Sequence, residues 1–403
     1  MTSRNALASP IPAGDWDAQV AIIGGGPGGE DCARDLADHG IKVVMINNAP
    51  LPGGECLWRG CIPSKAWRHA ADVIRDRAND PDKGVIGTQS PSLDWATLEA
   101  HRKGILQTRG ELALKADQGV KIDVRHGFAS FLDAHTLKIV APNGAESRLT
   151  FGAAVISTGA PPFVPPIPGA REGIASGGVL TSDSIWSLPA PPRRLGIIGG
   201  GVIGVEMAQI WYDFGAEVRM LEVKDRILGE IEADIAKQLG LILANEFPIV
   251  TQASILEITG QPDSMRIKYS DAFGKPAQFL CDYVLIAAGK RPSTARLNPE
   301  AVGVELDGAA IKTNARCRTS APHVYAVGDV IGGYMLAHTA ATQGRAPRTT
   351  SWGKRWNIDR NSTAASSSVV RKRALSGFHS PRQKLRASTR WKPKCRCISM
   401  PRR

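Results

Sequence analysis

The stretch GGGPGG at Gly24–Gly29 follows an apolar run, Gln19–Ile23, that has the composition of a buried strand. Its glycines have the spacing of a dinucleotide-binding turn. Gly24 permits the tight turn, Gly26 a close approach of the backbone to a pyrophosphate, and Gly29 the close packing of the following helix on the strand. One such stretch is weak evidence, because glycine-rich turns often merely connect a strand to a helix.

A second stretch of the same kind, GGGVIG at Gly199–Gly204, follows the apolar run Leu195–Ile198. Gly199, Gly201 and Gly204 repeat the spacing of the first stretch, and an apolar-periodic segment follows them. Two nucleotide-binding turns in one chain predict two Rossmann-like domains, each with a parallel sheet covered by helices. The 403 residues of the chain suit two or three domains.

An acidic residue about 20 positions after such a turn can hydrogen-bond the ribose hydroxyls of NAD. Glu222 lies 18 residues after Gly204, at the end of the strand-like run Val218–Leu221, and fits that role. The same count from Gly29 gives Asn47, which can hydrogen-bond a ribose but has no charge. The second turn is therefore predicted to bind NAD, and the first turn departs from the usual pattern.

Between the two turns, the sequence CLWRGCIPSK at Cys56–Lys65 places two cysteines five positions apart. The chain has seven cysteines, too few for a disulfide-stapled secreted protein, and Cys56 and Cys61 are the only spaced pair between residues 17 and 345. The pair could form a structural disulfide, half of a zinc site or a redox-active dithiol. A cytosolic setting disfavours the first, and the absence of a second pair nearby disfavours zinc. A dithiol beside a nucleotide-binding turn favours electron exchange with a flavin.

Three further motifs follow in order: STG at Ser157–Gly159, AAGKRP at Ala287–Pro292 and VYAVGD at Val324–Asp329. With the two turns and the cysteine pair, they make the chain resemble the class I pyridine nucleotide-disulfide oxidoreductases, which are flavin-dependent enzymes. The resemblance extends from Val20 to Arg345 and is closest to dihydrolipoyl dehydrogenase, with glutathione reductase and mercuric reductase as relatives. It implies an α/β fold with FAD-binding and NAD-binding domains of the three-layer ββα type.

The resemblance also implies a role for each matching residue. Cys61 would face the flavin, Cys56 would exchange with the substrate, and Lys65 would lie beside the flavin ring, paired with Glu206. The chain would pass electrons between NAD(H), FAD and the disulfide, with a small-molecule disulfide or a lipoyl domain as substrate. The residues predicted to bind FAD are Gly24, Gly26, Gly29, Asn47, Thr158, Gly159, Asp329 and His338, and those predicted to bind NAD are Gly199, Gly201, Gly204, Glu222 and Gly289. No metal ligand is predicted.

The motif order divides the chain into five segments. An N-terminal lead (residues 1–16) precedes the first part of the FAD-binding domain (17–160), the NAD-binding domain (161–289), the second part of the FAD-binding domain (290–345) and a basic tail (346–403). The lead lacks the apolar core of a signal peptide, and no run of ~20 apolar residues could span a membrane. We therefore expect a cytoplasmic protein with no membrane partner.

The net charge of +12 at pH 7 belongs to the tail, where 16 Lys and Arg residues accompany a single acidic residue. The remaining chain is slightly acidic, so its charge does not indicate a nucleic-acid partner. The tail is rich in Arg, Ser and Pro and has no sustained apolar period, which predicts disorder. Its basic clusters keep a second hypothesis open, a nucleic-acid-binding protein with a vestigial flavin core, although such clusters are nonspecific.

In the relatives, the segment that matches His338–Arg345 continues into a helix and a third domain that forms the dimer interface. If Ala346–Gly353 and Ser380–Ser388 are back-translated and read two bases later, the codons permit sequences that resemble that helix and the Pro-Glu-Ile-Ala segment of the third domain. We therefore hypothesise a frameshift near Arg345, with a disordered basic appendage as the alternative. A chain without the third domain would lack the family's homodimer interface and its His–Glu general base. It would retain only residual NADH oxidation with small acceptors.

Overall fold

The computed structural model describes residues 11–78 and 91–346. Most of the predicted lead and the tail beyond Ala346 therefore lie outside the described residues. No helix in the described part of the chain is both long and apolar enough to cross a membrane. The helices are α1 (Pro27–Ala37), α2 (Gly54–Trp58), α3 (Cys61–Ala78), α4 (Trp95–Gly119), α5 (Ala170–Ser176), α6 (Val202–Asp213), α7 (Ala233–Leu243) and α8 (Ala337–Gly344), with short 3₁₀ helices at Ile185–Ser187, Pro299–Val302 and Gly328–Ile331.

The described residues also form 17 strands. They are β1 (Ala18–Ile23), β2 (Val43–Asn47), β3 (Asp123–His126), β4 (Phe128–Phe131), β5 (Thr136–Val140), β6 (Glu146–Ile156), β7 (Val179–Thr181), β8 (Arg194–Ile198), β9 (Glu217–Leu221), β10 (Ile249–Val250), β11 (Ser254–Gln261), β12 (Ser264–Ser270), β13 (Pro276–Cys281), β14 (Tyr283–Ile286), β15 (Leu306–Asp307), β16 (Ala310–Ile311) and β17 (Val324–Ala326).

The first sheet is built around β1, which pairs in parallel with β2 on one side and with β6 on the other. Strand β3 extends the sheet beyond β2, and β17 pairs in parallel with β6. The first part of β6 pairs antiparallel with β5, while its last six residues, 151–156, continue beside β1. Those six residues are all buried, as is typical of a central parallel strand that is covered on both faces.

The second sheet has five parallel strands in the order β10-β9-β8-β14-β7, and strands β11–β13 form a separate antiparallel meander. Ile267 and Phe279 of the meander share one buried core with Ile198 and Val284 of the parallel sheet. A Cβ atom at Gly196 of β8 would lie 2.4 Å from Ile267 Cδ1, so the meander packs directly on the parallel sheet. Helix α6 contacts β8 and β9. The predicted α/β fold with Rossmann-like nucleotide-binding units is confirmed.

The chain passes between the two sheets at two crossings that touch each other. It leaves the first sheet through the proline-rich stretch Pro161–Gly169, and it returns after Gly289. Pro162 and Lys290 form an isolated antiparallel bridge, and the Phe163 N–H donates to the carbonyl oxygen of Gly289 (2.9 Å). The prolines exclude helix here, and the paired crossings fix where the second sheet joins the first.

The two glycine-rich turns share one close contact. A Cβ atom at Gly29 would lie 1.9 Å from the carbonyl oxygen of Gly24, and one at Gly204 would lie 1.9 Å from that of Gly199. Both neighbours are backbone atoms that cannot rotate away, so only glycine lets each helix begin this close to its strand. By contrast, no heavy atom lies within 4 Å of the Cβ position at Gly201.

We expect Gly204→Ala to destabilise the second Rossmann-like unit by at least ~2 kcal/mol, because the added methyl group forces the turn and the helix apart. Gly201→Ala adds the same group in open space and is the matched control, with an expected cost within ~0.5 kcal/mol. Thermal and urea unfolding followed by circular dichroism measures both effects. Equal unfolding midpoints for the two variants would contradict the close contact.

Candidate active site

Each glycine-rich turn ends at the N-terminus of a helix. Gly26 is the N-cap of α1 and Gly201 is the N-cap of α6, and neither has a side chain to occupy the helix end. The first backbone N–H groups of a helix and the positive end of its dipole favour an anion. The Cβ position at Gly201 is open, and the one at Gly26 meets only Gly54 Cα at 3.7 Å. The residues present therefore fit the pyrophosphates of two dinucleotides, one on each turn.

Asn47 and Glu222 occupy matching positions at the carboxyl ends of β2 and β9, and each braces its glycine turn. The Gly25 N–H donates to Asn47 Oδ1 (3.3 Å), and the Gly200 N–H donates to Glu222 Oε2 (2.5 Å). Glu222 Oε1 also accepts from the Lys224 N–H (2.8 Å). Besides any contact with a ribose, both side chains thus hold the backbone of the turn in place.

The Asn47 side chain has little capacity left for a ligand. It is only 3% exposed, and its Nδ2 donates to the carbonyl oxygens of Ala49 (2.7 Å) and Leu51 (2.9 Å). Because both of its donors are used, only an acceptor lone pair on Oδ1 remains for a ribose hydroxyl. The contact of Asn47 with a ribose stays a prediction. Its hydrogen bonds to Gly25, Ala49 and Leu51 could not be predicted from residue spacing.

The two spaced cysteines meet where α2 ends and α3 begins. Cys56 lies in α2, Cys61 is the first residue of α3, and both are free thiols that are partly exposed. A hydrogen bond from the Cys56 thiol lowers the pKa of Cys61 to about 7 against the opposing effect of burial, and the Lys65 ammonium lowers it further. The same hydrogen bond raises the pKa of Cys56. Near neutral pH, the reduced pair therefore carries its negative charge on Cys61.

The ion pair predicted between Lys65 and Glu206 is present, with 2.5 Å between Nζ and Oε1. Lys65 lies one turn along α3 from Cys61, and Glu206 lies on α6, so the pair joins the cysteine helix to the helix that follows the second glycine turn. Glu206 and Lys65 act on Cys61 in opposite directions, because a nearby negative charge raises the pKa of a thiol and a positive charge lowers it.

The other predicted FAD ligands follow the neighbouring strands β6 and β17. Thr158 Oγ1 donates to the carbonyl oxygen of Ser293 (2.7 Å), and Gly159 has a φ of +71°, in the left-handed region that favours glycine. Asp329 lies in the 3₁₀ helix after β17, where burial raises its pKa. The His338 side chain is exposed in the first turn of α8. Three of these four residues, Thr158, Gly159 and Asp329, thus lie at the carboxyl ends of the central strands.

Lys290 is a residue of this region that the motif analysis did not single out. It follows Gly289, the predicted NAD ligand, whose φ is +106°, and it forms an ion pair with Glu55, the residue before Cys56. Burial lowers the pKa of Lys290 to about 8, while the Asp329 carboxylate opposes that shift. A lysine inside the motif AAGKRP is a visible signal, but no local pattern links it to a glutamate in the cysteine segment.

Comparison with known proteins agrees with this geometry. A family model described as pyridine nucleotide-disulphide oxidoreductase matches residues 18–344. The dihydrolipoyl dehydrogenase of Acholeplasma laidlawii is 35% identical over 329 residues, which are 81% of this chain and 94% of the relative. The dihydrolipoyl dehydrogenase of Bacillus subtilis (strain 168) is 33% identical over 348 residues, which are 85% of this chain and 72% of the relative. The family match ends beside Arg345, where the character of the sequence changes.

Solved structures give the same result. The HOCl-induced flavoprotein disulfide reductase RclA from Escherichia coli matches with a TM-score of 0.73 and 29% identity, covering 85% of this chain and 73% of the solved chain. Its Cu(II) complex matches with a TM-score of 0.71 and 29% identity, covering 82% of this chain and 70% of the solved chain. The chain therefore belongs to the pyridine nucleotide-disulphide oxidoreductase family, as a flavin-dependent disulfide oxidoreductase that resembles the NAD-dependent dihydrolipoyl dehydrogenases and uses FAD and NAD(H).

Proposed function

We propose that Cys56 and Cys61 form the redox-active disulfide of this oxidoreductase, with Cys56 facing the substrate and Cys61 facing the flavin. The observation that carries the proposal is the placement of the two thiols where α2 ends and α3 begins, with Lys65 one turn along α3 from Cys61. The hydrogen bond from Cys56 and the charge of Lys65 lower the pKa of Cys61 below that of Cys56. In thiol–disulfide exchange, the sulfur with the lower pKa is the better leaving group. Attack is therefore favoured at Cys56, with Cys61 as the leaving thiolate.

The exchange oxidises a dithiol substrate in two steps. A substrate thiolate attacks Cys56 Sγ, the bond between Cys56 and Cys61 breaks, and Cys61 leaves as a thiolate that Lys65 stabilises. The second substrate sulfur then attacks the first, which releases Cys56. One substrate proton ends on Cys56 and the other is lost to solvent, while two electrons pass from the substrate to the cysteine pair. The first glycine turn, with Thr158, Gly159 and Asp329, would hold FAD, which would supply the two-electron chemistry between the dithiol and NAD.

The positions of the remaining predicted ligands support one cofactor on each turn. The first turn, with Thr158, Gly159 and Asp329 on the adjoining strands, would hold FAD, and the second turn, with Glu222, would hold NAD. The domain boundaries then fall at the crossings near residues 160 and 289. Both helix N-termini are open to a pyrophosphate, which is the feature of the chain that supports this assignment.

A dihydrolipoyl group, free or on a lipoyl domain, is the proposed substrate, because both curated relatives are named dihydrolipoyl dehydrogenase. A small-molecule disulfide is the alternative. The proposal includes a cytoplasmic location, supported by a cysteine content too low for a disulfide-stapled secreted protein, and the homodimer expected of the family. If the reading frame changes near Arg345, lipoyl activity and dimerisation both require its restoration, so resequencing the codons for Gly344–Arg348 comes before any assay.

Anaerobic NADH should convert the oxidised, FAD-loaded protein into a form with two additional thiols, because each disulfide that accepts two electrons yields two thiols. Thiol titration after denaturation measures the gain. Cys56→Ser and Cys61→Ser should each abolish it, while the matched control Cys281→Ala, at a buried cysteine outside the pair, should retain it. An unchanged thiol count in the unsubstituted protein would remove the redox role.

In the reduced protein, alkylation of Cys61 by iodoacetamide should accelerate with pH around a midpoint of about 7, because only the thiolate reacts. Lys65→Met should raise this midpoint by removing a positive charge, and Glu206→Gln should lower it by removing a negative one. Lys312→Met breaks a surface ion pair with Glu305 (3.0 Å) and, as the control, should leave the midpoint in place. Shifts of the same sign at Lys65 and Glu206 would contradict the assigned charges.

NADH should reduce the flavin at least about tenfold faster than NADPH at equal concentrations, because the Glu222 carboxylate is expected to repel a 2′-phosphate. Glu222→Gln keeps an acceptor for the Gly200 N–H but removes the charge, so it should lower the ratio of the NADH rate to the NADPH rate. Lys224→Gln should widen it, since the Lys224 side chain is exposed beside the site, 3.5 Å from Glu230. Stopped-flow absorbance gives both rates, and equal rates before any substitution would refute the role of Glu222.

A further inference from the structure

Helices α3 and α6 pack against each other with their N-termini at the same end. Lys65 is the fifth residue of α3, Glu206 is the fifth residue of α6, and their ion pair joins the helices at that depth. Asp213 is the last residue of α6, and it meets α3 further along the helix, at Arg68 and Arg75. Charged contacts therefore hold α6 on α3 at two places, at the fifth residue of α6 and at its last residue.

The contact at the C-terminal end of α6 involves Arg68, Arg75, Asp213 and Glu246, and Arg68 also forms an ion pair with Asp72 one turn along α3 (2.8 Å). Arg68 Nη2 lies 2.5 Å from Asp213 Oδ2, Arg75 Nη2 contacts Asp213 Oδ1, and Arg75 Nη1 lies 3.0 Å from Glu246 Oε1. The Asp213 side chain is only 3% exposed. Guanidinium groups in such an interface need a carboxylate partner, because desolvation otherwise opposes their charge. We call Arg68, Arg75, Asp213 and Glu246 the Asp213 clamp.

A layer of aromatic rings lies between the same two helices. Trp67 of α3 and Trp211 of α6 are fully buried, and their ring centroids are 5.1 Å apart. Trp186 and Trp95 pack on Trp67 at centroid distances of 4.5 Å and 5.4 Å. These apolar contacts hold the two helices together, but they contain no charged group that would select one partner along the helix axis. The ion pairs at Glu206 and Asp213 therefore fix the orientation of α6 on this layer.

A helix moves as a rigid body, so a displacement at the C-terminal end of α6 also displaces its N-terminal end. The 12 residues of α6 span about 18 Å at a rise of about 1.5 Å per residue, and its N-terminus follows the turn Gly199–Gly204. The buried face of α6 and the ion pair at Glu206 already hold the helix, and the contact at its last residue, Asp213, adds a second charged restraint on its orientation. Reacting groups misplaced by about 1 Å can react about a hundredfold more slowly.

We propose that Asp213 is a positioning residue for hydride transfer: by binding Arg68 and Arg75, it holds the nicotinamide site in register with the redox helix that begins at Cys61. This inference rests on the proposed function, because it requires NAD on the second glycine turn. The Lys65–Glu206 pair has a different task, since it also acts on the charge of Cys61.

The test compares the full, FAD-loaded chain with its Asp213→Asn variant, which keeps the size of the side chain and removes its charge. In anaerobic stopped-flow experiments, the limiting rate constant of flavin reduction by NADH should fall at least about tenfold, while the dissociation constant for NADH stays within about threefold. Arg75→Gln leaves the contact between Arg68 and Asp213 in place and should give an intermediate rate. A limiting rate that is unchanged in both variants would overturn the proposal.

Asp117→Asn is the matched control for the loss of a buried ion pair. Asp117 is fully buried and binds Arg34 (2.7 Å), but this pair joins α1 to α4 and does not touch α6. The variant should lower the unfolding midpoint without changing the limiting rate. The quadruple variant Arg68→Met, Arg75→Met, Asp213→Asn, Glu246→Gln removes all four charges of the clamp, breaks only one further ion pair, that of Arg68 with the partly exposed Asp72, and should recover the unfolding midpoint while the rate stays low. Recovery of both would show that Asp213 serves folding alone.

Hydrogen–deuterium exchange separates this inference from the proposed function. Asp213→Asn should accelerate exchange over residues 205–210, whose N–H groups are hydrogen-bonded within α6, by at least about threefold relative to Asp117→Asn, because a less restrained helix opens more often. This readout does not depend on reduction of the flavin. Failure of NADH to reduce the unsubstituted protein, with faster exchange in the variant, would refute the proposed function and support the clamp. Unchanged exchange with an unchanged rate would refute the clamp.

Discussion

The packing of α3 against α6 connects the two halves of the site, because each helix begins at a reactive position. Helix α3 starts at Cys61, and α6 starts directly after the second glycine turn. The contact at Lys65 and Glu206 therefore joins the cysteine pair to the second glycine turn. The N-terminal end of a helix favours negative charge, which at α3 is a thiolate and at α6 would be the pyrophosphate of the proposed NAD site.

The two glycine turns satisfy the same constraint with different side chains. Each turn needs an acceptor for its second backbone N–H group, and either the amide of Asn47 or the carboxylate of Glu222 can provide one. Bracing the turn therefore does not require a negative charge. The charge of Glu222 is not needed to brace the turn, and the proposed discrimination between a ribose hydroxyl and a phosphate would be a second use of the same carboxylate.

Local sequence patterns were sufficient for the fold class and for much of the site. The turns, the spaced cysteines and the motif at Asp329 each depend on residues close together in the chain, so their spacing indicates their geometry. The ion pairs of Lys290 with Glu55 and of Arg68 with Asp213 join distant segments. Helical periodicity places Arg68 on one face of α3 with Lys65, but it does not say which carboxylate that face meets, because the partner is set by how the two sheets are joined.

The two residues of the Lys65–Glu206 ion pair have opposite effects on the pKa of Cys61. A lysine alone would stabilise the thiolate further, and a more stable thiolate leaves more readily but attacks more slowly, since nucleophilicity falls as the pKa falls. Reversible exchange works best when the thiol pKa is near the ambient pH. Burial and, to a smaller extent, Glu206 oppose the lowering of the Cys61 pKa by the Cys56 hydrogen bond and by Lys65. The contact that joins the two helices thus also acts on the charge of the cysteine.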